Sequence, residues 1–139
     1  MPEAISWLQR VEQNCLATGR VLTEQEIQDA ISVGVQKPEQ IRVLSVESVA
    51  KPEHPALLQA ATEIDMLGEN AAARAIGYGI EVVAGNATRR LLRHEFRHVY
   101  QFEQAGSLEL FISAYVESVL TSGYHDSVYE QDARAYEEP

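Results

Sequence analysis

The sequence has few cysteines, no long apolar run and no visible signal peptide, which is typical of an ordinary globular protein. Cys15 is its single cysteine, which excludes an internal disulfide framework and favours a reducing compartment. No apolar run approaches the roughly 20 residues that span a bilayer. The opening "MPEAISWLQR" lacks the basic start and apolar stretch of a signal peptide. We therefore expect a cytoplasmic protein with no membrane partner, and leave export by a specialised system open.

Basic charge is also scarce. The 139 residues include 11 Lys and Arg against 21 Asp and Glu, which gives a net charge of −10. Nucleic acids and anionic membranes bind basic surfaces, so neither is expected as a partner. The apolar fraction of 45% is typical of a folded domain. The oligomeric state has no signature in the sequence.

Helical and strand patterns alternate along the chain and predict an α+β fold. In this fold a short sheet carries one long helix and several others. Apolar spacing and capping residues predict helices at 3–16, 23–34, 56–68, 88–105, 107–122 and 127–138. Strands are predicted at 41–49 and 79–85, with a bend or bulge at Gly77 and Gly79 before the second.

The stretch "RHEFRH" contains the pattern H-E-x-x-H at His94, Glu95 and His98. On a helix, positions i and i+4 lie about 40° apart and roughly 6 Å along the axis, so both imidazoles can reach one zinc ion. Glu95 lies beside them, where it can accept a proton from water. These residues share a stripe with Leu91 and Phe102 that otherwise belongs to the core. A buried glutamate there needs a partner to offset its cost.

A third metal ligand must come from elsewhere in the chain. The metzincin histidine is excluded, because positions 101 and 104 are both Gln. Glu117 is expected to face solvent, about 180° from the apolar face of its helix. The further candidates downstream are Glu109, His125, Asp126, Glu130 and Asp132.

Among these candidates we select Glu130, which opens the last predicted helix. Small residues at 133 and 135 would let that helix pack closely on the H-E-x-x-H helix. A competing role for Glu130 is a capping box with Ser127. His125 or Asp126 stays open as an alternative or additional ligand.

The stretches "LLRHEFRHVYQFEQAG" and "LFISAYVESVLTSGYHDSVYEQDA" resemble a family of gluzincin-like bacterial metallopeptidases with the pattern H-E-x-x-H-V-x-Q. Its relatives include the core-domain proteins associated with extracellular contractile injection systems. The resemblance covers about residues 22–135 and is most specific at 91–133. The length of 139 residues suits a single domain over 1–139, in which we expect a helical segment at 1–36 and a zincin-like core at 37–139.

Carried over residue by residue, the resemblance implies that His94, His98 and Glu130 bind zinc and that Glu95 is the general base. The sequence departs from thermolysin-like gluzincins at Arg134, where those proteins have Asp. The partners that orient the histidines are therefore open. Candidates are a backbone carbonyl, Asp132, Asp65 and Glu63.

We therefore expect a zinc-dependent hydrolase, most simply a peptidase, whose peptide substrate lies along the strand at 79–84. Tyr124, in the turn before the last helix, is the expected oxyanion donor, although packing is a competing role. The alternative function is a non-catalytic or structural zinc-binding interaction domain, which a fourth protein ligand would favour. Tyr115 is expected in the core, Gln101 in a structural role, and the acidic tail "YEEP" in solvent.

Overall fold

The computed structural model describes residues 2–49 and 72–139, and its α+β class confirms the prediction. In these ranges no helix is long and apolar enough to cross a membrane. The helix predicted at 56–68 lies outside the described residues. In chain order the elements are α1 (Pro2–Thr18), α2 (Glu24–Ser32), a 3-10 turn (Pro38–Gln40), β1 (Arg42–Val46), β2 (Ala73–Ile76), β3 (Gly79–Val83), α3 (Arg89–Ala105), α4 (Leu108–Ser122) and α5 (Val128–Ala135).

Capping residues set the ends of the helix that carries the motif. Thr88 accepts a hydrogen bond from the Leu91 backbone N–H and starts α3. Gly106 has a φ of 95°, in the left-handed region, and ends it. Ser107 then caps α4 in the same way as Thr88 caps α3. The H-E-x-x-H residues therefore lie in the middle of a regular helix with the predicted ends.

The described strands form one three-stranded sheet in the order β1-β3-β2, with β1 parallel and β2 antiparallel to β3. Gly77, at a φ of 61°, and Tyr78 form the turn of the β2–β3 hairpin. The sequence predicts only a bend there, and β2 escapes prediction because "ARAI" is short and rich in alanine, a weak strand former.

The central position of β3 corrects one expectation about the substrate. The strand expected to bind a peptide, 79–84, is paired along β3 with β1 on one side and β2 on the other. Its backbone hydrogen-bonding groups are therefore already used. A peptide cannot add to the sheet at that strand.

Helix α3 packs against apolar residues and against polar ones. Phe96 and Val99 are fully buried in a cluster that joins α2, α3 and the sheet. A second cluster joins α1 and α4, with Leu8 and Phe111 among its buried residues. The sequence pattern predicts one inward stripe on α3, but several buried residues lie off that stripe. The buried residues of α3 are Leu92, Arg93, Glu95, Phe96, His98, Val99 and Gln101.

Candidate metal centre

Two helices bring the three predicted ligands to one point. His94 and His98 come from α3, and Glu130 comes from the first turn of α5. One ligand atom from each residue lies within 4.8 Å of the others. Ala133, one turn after Glu130, is fully buried, in keeping with the close helix packing expected from its size. The structure thus contains a possible metal-binding group made of the residues selected from the sequence.

The Glu130 carboxylate stands between the two imidazoles. Its Oε1 lies 3.0 Å from His94 Nε2, and its Oε2 lies 3.1 Å from His98 Nε2. Tyr115 donates its hydroxyl to Oε2 at 2.7 Å. Burial raises the pKa of Glu130. The hydrogen bonds with His94, His98 and Tyr115 lower that pKa by a larger amount, so it lies well below its usual range. Glu130 is therefore an ionised oxygen donor.

The competing capping role of Glu130 is absent from the structure. Ser127 caps α5 by accepting the Tyr129 backbone N–H at 3.3 Å, and its hydroxyl lies 2.6 Å from that of Ser118. The Glu130 carboxylate contacts the histidines and Tyr115 instead. Ser127 thus caps α5 without Glu130, and the Glu130 carboxylate is available to the possible metal-binding group.

The other ring nitrogen of each histidine has its own partner. His94 Nδ1 lies 2.8 Å from Glu137 Oε2, and His98 Nδ1 lies 2.8 Å from Gln101 Oε1. An Nδ1–H that donates to these oxygens leaves Nε2 with a free lone pair. Both Nε2 atoms face Glu130, so each histidine presents its metal-binding nitrogen to the same point.

The orientation of the Gln101 amide follows from its other contacts. Its Nε2 donates to the Tyr129 carbonyl at 3.0 Å and to Asp132 Oδ2 at 2.9 Å, so its Oε1 must face His98. Arg97 holds Asp132 in place at 2.8 Å. Gln101, expected to be structural, therefore also orients a histidine of the possible metal-binding group. Asp132, considered as a direct histidine partner, acts through Gln101.

Glu95 is buried beside the ligands and accepts a hydrogen bond from the Ala75 backbone N–H in β2. Burial raises the pKa of Glu95, the neighbouring His98 and His94 lower it, and Glu130 raises it, with a net increase. A carboxylate with raised pKa next to a possible metal site has the properties of a general base.

The donor set suits a divalent cation. Two imidazole nitrogens and a carboxylate oxygen match the three-ligand sites in which zinc keeps one position open. Three carboxylates, those of Glu95, Glu130 and Glu137, surround the two histidines. Arg90 neutralises Glu137 at 2.8 Å. A cation between the Nε2 atoms and Glu130 would take over from the imidazole protons that balance this negative charge in the metal-free protein.

The other candidate ligands lie outside this group. His125 and Asp126 are exposed and contact each other at 3.1 Å. Glu117, as expected, and Glu109 are exposed on α4. Among residues 2–49 and 72–139, the metal-binding group contains no fourth protein ligand. His125 and Asp126, which the sequence left open as alternative or additional ligands, do not belong to this group.

Tyr124 lies in the turn between α4 and α5 and is 41% exposed. Burial and Glu130 raise the pKa of Tyr115, and a smaller contribution comes from Tyr124, which is close enough to act electrostatically. Tyr124 is thus near a residue that contacts the ligand Glu130. Its role as an oxyanion donor stays a prediction.

Tyr115 and Glu137 were not assigned to the site from the sequence. Tyr115 was expected in the core, and it is buried, but its hydroxyl also contacts Glu130. Glu137 was expected in solvent and instead contacts His94 and Arg90. A signal for Glu137 was present in the basic residues of α3 beside the motif, which favour an acidic partner on that face. Two of the considered histidine partners, Glu63 and Asp65, lie outside the described residues.

Comparison with protein-family models, curated proteins and solved structures finds no match to this chain. The resemblance to gluzincin-like metallopeptidases therefore stays a prediction. The geometry and chemistry of the candidate metal centre carry the functional conclusion.

Proposed function

We propose that the protein is a zinc-dependent hydrolase and that its substrate is a peptide. The observation that carries this proposal is the convergence of His94, His98 and Glu130, with the buried carboxylate of Glu95 beside them. Three protein ligands leave one zinc position open, whereas structural zinc sites almost always use four. The separation of His125 from the group supports the catalytic reading over the structural one.

The proposed chemistry assigns a separate task to each residue. The chemistry that bound zinc supplies is Lewis acidity, which polarises a carbonyl and makes water more acidic. Glu95 accepts the proton of the attacking water and passes it to the leaving amine. Its raised pKa makes it a stronger base than an exposed glutamate, and the Ala75 N–H holds its carboxylate in place. His94, His98 and Glu130 are the ligands.

Among the described strands β2 is an edge strand of the sheet, and its outer side offers a place for the peptide. Val83 N–H donates to the Ala72 carbonyl, and hydrogen-bonded pairs alternate along antiparallel strands. The backbone groups of Ala73 and Ala75 therefore point away from β3, and the Ala75 N–H reaches Glu95. We propose that the substrate lies along 73–76 and not along 79–84. It would pair through the backbone of Ala73 and the Ala75 carbonyl, since the Ala75 N–H already bonds Glu95, and its backbone would then lie next to the general base.

The substitution Glu95→Gln tests the catalytic role. The variant should keep one zinc per chain but cleave fluorogenic peptides about 10²- to 10⁴-fold more slowly, because it cannot accept the proton. Glu117→Gln, at an exposed position of α4, is the matched control and should retain both properties. Cleavage by Glu95→Gln at the wild-type rate would rule out Glu95 as the base.

A second candidate function is a zinc-binding interaction domain without turnover. The burial of the site favours it, since the side chains of His94, His98 and Glu130 are only 13%, 9% and 3% exposed. Wild-type protein that binds zinc but cleaves no peptide in a broad fluorogenic library would select this second function.

A further inference from the structure

We propose that Glu137 is a positioning residue of the metal centre, which holds the His94 imidazole so that Nε2 faces the metal. The inference rests on the proposed zinc site. It assigns a role to the segment 136–138, which follows the helix that carries Glu130.

The two carboxylate oxygens of Glu137 have different partners. Oε2 lies 2.8 Å from His94 Nδ1, and Oε1 accepts a hydrogen bond from Arg90 Nε at 2.8 Å. The arginine fixes the carboxylate from one side, and the carboxylate fixes the imidazole from the other. A proton on Nδ1 is thereby favoured, and the Nε2 lone pair stays available toward Glu130.

Other contacts hold the segment on α3 without using His94. The buried Arg93 donates from Nε to the Tyr136 carbonyl at 3.0 Å and from Nη2 to the Glu138 carbonyl at 3.3 Å. The Arg97 guanidinium lies 3.8 Å from the centre of the Tyr136 ring. Glu137 is therefore presented to His94 by a segment that α3 already binds.

Glu137 also supplies the carboxylate that is missing at position 134, where this chain has Arg and thermolysin-like gluzincins have Asp. Arg134 cannot accept a hydrogen bond from an imidazole, and its guanidinium donates to the His125 carbonyl. The carboxylate for His94 comes instead from three residues further along. His98, by contrast, has a neutral partner, Gln101, on its own helix. The negative charge at His94 makes its imidazole the better metal donor, since an anionic partner raises ligand basicity.

The test compares Glu137→Ala with Glu138→Ala. Glu138 is the matched control. Its side chain is 75% exposed, its carboxylate reaches Arg90 only at the long distance of 3.9 Å, and its described contacts do not include His94. Zinc affinity, measured by competition with a chromophoric chelator, should fall about 10- to 100-fold in Glu137→Ala. Glu138→Ala should change it by no more than about threefold. Glu137→Gln should be intermediate, because its amide oxygen still accepts from Nδ1 without the charge.

A spectroscopic measurement separates positioning from loss of the site. Cobalt(II)-loaded Glu137→Ala should keep the visible absorption envelope of the wild type, since the three ligands remain, while its affinity falls. Equal zinc affinities for Glu137→Ala and Glu138→Ala would overturn the inference and leave the zinc site intact. If Glu137→Ala fails to fold by circular dichroism, Glu137→Gln and Glu138→Gln decide by the same criterion. Wild-type protein that binds no zinc would overturn both the inference and the proposed function.

Discussion

The two sides of α3 differ in which charged groups are in excess. Toward α2, Asp29 accepts hydrogen bonds from Arg89 at 2.8 Å and from Arg93 at 3.1 Å, so one carboxylate has two cations. We refer to these three residues as the Asp29 cluster. Toward α5, the balance is reversed, because three carboxylates surround the two imidazoles. They belong to Glu95, Glu130 and Glu137.

This difference separates a structural cluster from a binding site on one helix. The hydrogen bond from Arg89 is the main cause of the lowered pKa of Asp29, which is fully used within the fold. Burial instead raises the pKa of Glu95, and the neighbouring His98 and His94 offset only part of that increase. A buried ion pair needs no ligand, whereas a buried group of carboxylates and imidazoles is stabilised by a cation.

Removal of the carboxylate ligand should have the largest effect on the metal side. Glu130→Ala should weaken zinc binding by about 10³-fold or more, because one of three protein ligands is lost. At a zinc concentration of about a thousand times Kd, zinc should stabilise the wild type by about 4 kcal/mol and this variant hardly at all. Thermal unfolding with and without zinc measures both. Asp126→Ala is the control, and loss of zinc binding there would return Asp126 to the ligand set.

Disruption of the Asp29 cluster should lower the stability of the metal-free protein and leave zinc affinity unchanged. Asp29→Ala leaves the buried Arg93 without its carboxylate and should destabilise the fold by about 3 kcal/mol. Urea denaturation of the metal-free protein measures this loss. Zinc affinity of the folded variant should stay at the wild-type value. A fall comparable to that of Glu130→Ala would show that the two sides of α3 are not independent.

The dependence of stability on pH should also distinguish the two sides. Burial lowers the pKa of His94, but Glu130, Glu95 and Glu137 raise it more, to about 9 from an ordinary 6.5. Protonated His94 therefore stabilises the metal-free fold fully below pH 6.5, and this stabilisation is lost as pH rises toward 9. The expected loss is on the order of 3 kcal/mol.

Urea titrations of the metal-free protein between pH 6 and 9.5 measure that loss. The pKa of Asp29 is lowered, so Asp29 stays ionised throughout this range and contributes no slope. His94→Gln should reduce the slope and leave the part due to His98, whose pKa Glu130 and Glu95 also raise despite its burial, whereas Asp29→Ala should shift the profile down without a change of shape. A profile that remains steep in His94→Gln would assign the effect to another group.

The smallest effect is expected at the hydroxyl of Tyr115. Tyr115→Phe removes the hydrogen bond to Glu130 and should destabilise the metal-free protein by about 1.5 kcal/mol, the scale for a hydrogen bond to a charged group.

Tyr124→Phe is the companion variant, which should keep zinc affinity and slow peptide cleavage. Unchanged cleavage would remove Tyr124 as the oxyanion donor.

The sequence was most informative where local rules decide the structure. Helical geometry alone places His94 and His98 on one side of α3, and the caps at Thr88 and Gly106 set the helix ends. The small residue at Ala133 indicated the close packing that brings Glu130 back to the histidines. These features depend on neighbours within one or two helical turns, which a single sequence displays directly.

The features missed from the sequence depend on where the chain turns. The last helix was expected to reach about residue 138, but α5 ends at Ala135. A continued helix would carry Glu137 about 10 Å along the axis from Glu130. The early end instead lets the segment 136–138 return to the arginines of α3. The strand β2 was missed for a related reason, since its pairing with β3 overrides the weak strand propensity of its alanines.

The most direct test of the account is anomalous diffraction at the zinc absorption edge from crystals grown with zinc. The account predicts one strong peak per chain, bounded by His94 Nε2, His98 Nε2 and the Glu130 carboxylate, with His94 Nδ1 still on Glu137. A zinc-soaked crystal with no peak at that point, or with its peak at His125 and Asp126, would contradict it.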